Sequence, residues 1–77
     1  MQPELEKILL SVLELNAIKP DDSIETIAAW DSVRHLQLVL AIEEQFGLSF
    51  EAEMIPELTS VRAIASAIEA HRAAAGA

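Results

Sequence analysis

Cysteine is absent from this chain of 77 residues, which excludes disulfides, thiolate metal sites and cysteine nucleophiles. Tyrosine is absent too, and the rings amount to one Trp and two Phe. A core with so few rings is aliphatic, which suits packed helices better than an aromatic-rich sheet. Basic residues number five against thirteen acidic ones, a formal charge of −8. That deficit argues against nucleic acid, whose phosphates need Lys and Arg. It argues equally against anionic membrane surfaces and suits partners with basic patches. No apolar run reaches the ~18 residues of a membrane span. Met1 leads straight into polar and acidic residues, not into the apolar segment of a signal peptide. A cytoplasmic location is therefore expected.

Hydrophobic residues are plentiful, at 52%, and the length is near the lower limit for a self-sufficient core. No repeat or linker interrupts the chain, so residues 1–77 read as one domain. Pro3 suits the first position of a helix, because its missing amide would be unpaired there anyway. Glu4 and Glu6 complement the dipole of that first turn. Leu5, Ile8, Leu9, Val12 and Leu15 mark a buried face, which predicts a helix over about residues 4–15. Leu10 and Leu13 fall off the centre of that face and are expected to be partly exposed. Residues 16–31 have no steady period and read as a long loop. Pro20, Asp21, Asp22 and Ser23 form a turn cluster, while Ile18, Ile24 and Ile27 are expected to pin the loop to the core.

The next stretch, from Trp30 to Gly47, organises the chain. Asp31 is a good N-cap and Gly47 a good left-handed C′ residue, predicting a helix over about 32–46. Trp30 then sits at N′, where a hydrophobic staple belongs; stacking against a ligand is the alternative. Leu38, Val39, Ile42 and Phe46 recur as one buried face. Val33, Leu36 and Leu40 form a second apolar stripe, rotated about a quarter turn and running below Ser32. One face fills the core, and the second calls for a partner or deeper burial. After Gly47, Phe50 points inward from a short extended segment. One helical turn is expected over about 52–55, ended by Pro56. Thr59 or Ser60 caps a last helix over about 60–73, with Val61, Ile64, Ala65 and Ile68 inward. Residues 74–77 are expected to fray. The predicted fold is all-α: a small bundle of three main helices plus a short minor helix, with a long loop between the first two main helices.

Ser32 is the residue with chemical interest. Its hydroxyl lies at a helix N-terminus, where free amides and the dipole favour a phosphate group. Asp-Ser also occurs merely as a cap pair. Asp31, Ser32 and His35 do not make a catalytic triad, because neighbouring helical residues diverge. His35 reads as a partly buried, hydrogen-bonded histidine, and His71 is too isolated for a metal pair. Asp21, Asp22 and Glu25 lack the alternating ligands, central Gly and terminal Glu of a calcium loop. No metal site and no catalytic residue are expected.

Asp31-Ser32-Val33, followed by His35-Leu36, Leu38-Val39, Ile42-Glu43-Glu44 and Phe46-Gly47, resembles the phosphopantetheine attachment region of acyl and peptidyl carrier proteins. The similarity covers essentially the whole chain. It implies a carrier and not an enzyme. A phosphopantetheinyl transferase would place a 4′-phosphopantetheine arm from coenzyme A on Ser32. The arm would hold acyl or aminoacyl groups as thioesters, supplied by a loading ligase or synthase and passed to acyl-processing enzymes. Asp31 and Ser32 carry over as the attachment motif. Val33, Leu36 and Leu40 carry over as contacts for arm and partner, Glu43 as an acidic contact, and Trp30 lies beside them. The chain departs from the pattern at Val33, where Leu is usual, and at Arg34 and Gln37, where fatty-acid carriers are commonly acidic. Trp30 before Asp-Ser is a further departure. These differences point to a carrier dedicated to a specialised acyl, polyketide or similar pathway, since charge at a recognition helix can reject partners as well as attract them; a monomer is expected. An unmodified acidic interaction domain is the alternative.

Overall fold

The computed structural model describes residues 2–76, with the side chains of residues 2–73. Three helices, α1 (Pro3–Val12), α2 (Ser32–Phe46) and α3 (Val61–Gly76), are joined by a long loop and by a segment holding a 3-10 helix (Ala52–Glu57). Among the described residues there is no β-strand; Ser23 and Ser60 form a single isolated bridge. The fold is therefore the expected all-α bundle. Its core joins Leu5, Leu9 and Leu13 to Leu38 and Ile42 of α2 and to Ile64 and Ile68 of α3.

α1 stops at Val12, three residues short of the expected end. Glu14 turns left-handed, with φ at 54°. The Glu14 amide donates to the Ser11 carbonyl at 3.3 Å and the Leu15 amide to the Leu10 carbonyl at 2.9 Å, which together make a Schellman end. Glycine usually marks that position, and its absence hid the stop. The turn swings Leu13 into the core at 0% exposure, correcting the expectation of partial exposure. Arg34 completes this cap from α2. It donates to the Val12 carbonyl at 2.7 Å and to a Glu14 carboxylate oxygen at 2.6 Å.

Residues 13–31 are tied down by their own polar groups. The Asp22 carboxylate accepts from the Lys19 amide at 2.8 Å and from the Thr26 hydroxyl at 2.9 Å. Both donors favour its ionised form, the backbone amide most, and hold the Asp22 carboxyl below its usual range. The Asp22 carbonyl accepts from Val61 at 3.0 Å, and the Ile24 amide donates to the Thr59 carbonyl at 3.0 Å. The loop thus docks on the start of α3, where Ser60 is the cap, accepting from the Ala63 amide at 3.0 Å. Ile18 is buried and Ile27 half-buried, as expected, but Ile24 is 44% exposed. The backbone bond to Thr59, and not apolar burial, fixes Ile24.

α2 ends at Gly47, in the left-handed region at φ 63°, where the Leu48 amide reaches the Glu43 carbonyl at 3.1 Å. Phe50 is buried, as read from the sequence, and meets His71 edge-on with ring centroids 5.4 Å apart. The minor helix runs through Pro56 to Glu57. A 3-10 helix bonds to the third residue back, so the proline ring meets no carbonyl four residues earlier and does not end it. α3 continues to Gly76, past the expected end at residue 73. Of the tail expected to fray, Ala77 lies outside the described residues.

Candidate functional site

Asp31 caps α2 with its Oδ1, which accepts from the Arg34 amide at 2.9 Å, and its carbonyl receives the His35 amide at 2.8 Å. Ser32 follows as the first helical residue and is exposed. The amides of Ser32 and Val33 belong to the first turn, where a helix supplies no carbonyl partner. An exposed hydroxyl therefore stands at the positive end of a fifteen-residue helix.

A cleft of about 510 Å³ opens beside this hydroxyl. Ser32, Asp31, Trp30, His35 and Leu36 line one side, and Ile55, Pro56, Thr59 and Ile24 the other. The walls are mostly apolar. Sequence reasoning missed Ile24, Ile55, Pro56 and Thr59, because a cleft between distant segments leaves no periodic signal in any of them. Val33, Leu36 and Leu40 are 65%, 56% and 64% exposed. The second apolar stripe is thus left open, while Leu38, Val39 and Ile42 are buried.

The remaining site residues are more engaged than the sequence suggested. Trp30 is buried at 4% exposure. It packs at N′ against His35 at N4, with ring centroids 6.2 Å apart, and its Nε1 donates to His35 Nδ1 at 3.0 Å. This is the staple position, with a polar link added. Glu43 is half-buried and its Oε2 accepts from the Phe50 amide at 2.7 Å, so it is a fixed carboxylate. Arg34 is committed to the end of α1 and is not a free charge on α2. Among the described residues, no three metal-ligating side chains gather, and no helix is long and apolar enough to cross a membrane.

The family model described as "Phosphopantetheine attachment site" matches residues 3–68. The chain belongs to the acyl carrier protein family. Among its relatives is the "Acyl carrier protein" of Streptomyces coelicolor, 36% identical over an alignment covering 95% of this chain and 84% of that protein. Members of the family are carriers and not enzymes, and they bear 4′-phosphopantetheine covalently. The residues present fit such a group, since an exposed hydroxyl on a capped helix mouth adjoins an apolar cleft. Membership also implies a phosphopantetheinyl transferase and acyl-processing enzymes as partners.

Proposed function

We propose that Ser32 is the attachment residue and that this chain carries acyl groups between enzymes of a dedicated biosynthetic pathway. The observation that carries the reading is the exposed Ser32 hydroxyl at the capped mouth of α2, bordering both the cleft and the open apolar stripe. The amides of the first turn would favour the phosphodiester, and Asp31 holds that turn in place. Ile24, Leu36, Ile55 and Pro56 offer the arm apolar walls. Once attached, the arm supplies a thiol that holds the cargo as a thioester.

Val33, Leu36 and Leu40 then serve as the surface that transferase, loading ligase or synthase and downstream enzymes recognise. Exposed apolar area beside a functional group is where a partner gains most from desolvation. The surplus of acidic residues suits partners with basic patches and a monomer that binds them in turn. Glu43 acts in this reading chiefly by fixing the chain after α2, and Trp30 by shaping the cleft. Gln37 and Trp30 support a specialised pathway over housekeeping fatty-acid synthesis.

Incubation with coenzyme A and a broad-specificity transferase tests the attachment. The intact mass is expected to rise by one phosphopantetheine group, and Ser32→Ala to stay bare. A wild-type protein that stays bare under conditions that modify a control carrier contradicts the reading and favours an unmodified interaction domain.

A further inference from the structure

Trp30 and His35 form a feature that attachment at Ser32 does not itself require. The indole lies in the core, although Trp30 is separated from Ser32 only by the capping Asp31. Its nitrogen can only donate, so His35 Nδ1, at 3.0 Å, is a bare acceptor. The imidazole proton therefore sits on Nε2, which donates to the Ile55 carbonyl at 2.7 Å. The two bonds form one directed chain from the loop before α2, through α2, to the 3-10 helix. They are part-buried, where a broken bond is not simply replaced by one to water. Trp30, His35 and Ile55 all line the cleft beside Ser32, and Trp30 belongs to the same core cluster as Leu38, Leu58 and Ile64.

We propose that this clasp is the floor of the cleft. It shuts the way between α2 and the 3-10 helix, so that cargo on the Ser32 arm rests in the open cleft and stays out of the helical core. The inference rests on attachment at Ser32. To admit an alkyl chain, the indole would have to leave the core and both hydrogen bonds would have to break. A long alkyl chain would then have only the open cleft to lie in, with its outer side in water. The cargo class that fits is a short or polar acyl group.

The test uses the holo protein loaded with acetyl, butyryl, octanoyl and dodecanoyl groups. Intact mass is checked first, so a missing arm contradicts the attachment and is not confused with a failure of the floor. The melting temperatures of the loaded wild-type forms are expected to agree within about 1 °C. An acyl chain entering the core would raise them by roughly 3–6 °C for each buried methylene, and a steady climb with chain length overturns the proposal. His35→Ala and Trp30→Phe each remove part of the clasp, and their melting temperatures are expected to rise with acyl length. A purely structural role would lower every form equally; a flat series in the folded variants overturns the assignment to these side chains. Where His35→Ala fails to fold, Trp30→Phe, which keeps a large ring, and the wild-type series decide.

Discussion

Glu14 sits in a left-handed conformation, which costs an ordinary residue ~1–2 kcal/mol relative to glycine. Its ion pair with Arg34 is largely exposed on the Glu side, at 72%, and such pairs contribute only ~0.2–1 kcal/mol. The strain outweighs the pair, so Glu14→Gly is expected to stabilise the protein by about 0.5–1 kcal/mol in a urea melt; a loss of stability would show that the pair matters more. Glu43 shows the opposite balance. Glu43→Ala leaves the Phe50 amide without its acceptor and should cost ~1–3 kcal/mol, with Glu43→Gln costing less. An Asp22→Asn variant addresses the loop. The Asp22 carboxyl is held below its usual range by the Lys19 amide and the Thr26 hydroxyl. Ionised Asp22 therefore adds stability above the unfolded-state value of about 3.9, and the contribution fades as pH falls through the lower folded value. Wild type should be the more stable at neutral pH, and the two melting curves should converge below about pH 4. Equal separation at all pH would contradict this. None of these three roles was legible in the sequence. The roles of Glu14 and Glu43 depend on bonds to residues that periodicity does not connect to them. Asp22 reads from the sequence only as part of a turn cluster, its bonds to Lys19 and Thr26 leaving no spacing signal, whereas the Asp31 cap and the glycine at 47 were legible because a cap acts within its own turn.

α2 carries two apolar stripes, and the structure sorts them. Ile42 is fully buried, Phe46 half-buried and Leu40 64% exposed. Ile42→Ala should therefore cost ~2–5 kcal/mol, Phe46→Ala less than the ~3–5 kcal/mol of a fully buried ring, and Leu40→Ala within about 0.5 kcal/mol of zero. Thermal melts of the three variants check the order, and a large loss at Leu40 would mean that the open stripe is core. The wheel of α2 separated the stripes from the sequence, because helical period is a local property. It also named Leu38, Val39 and Ile42 as the covered stripe, and they are buried; it left open whether a partner or deeper burial takes the other, since that depends on where α1 and α3 lie. The ends of α1 and of the 3-10 helix were misread for a related reason. A non-glycine residue ends the first, and a proline is tolerated in the second.

The molecule as a whole is a small acidic bundle whose long loop is held to the start of α3 by the backbone of Asp22 and Ile24. That docking places the loop, the mouth of α2 and the 3-10 helix around one cleft. The helix count and the Asp-Ser mouth were readable from periodicity and caps, and the resemblance supplied the chemistry. The cleft was not readable, because its walls come from three segments. What the account requires above all is one modified hydroxyl. Fragmentation mass spectrometry of the protein after treatment with coenzyme A and transferase reads that position directly. The account predicts the phosphopantetheine group on Ser32 and nowhere else; its appearance on Ser23, Ser49 or Ser60 would contradict it.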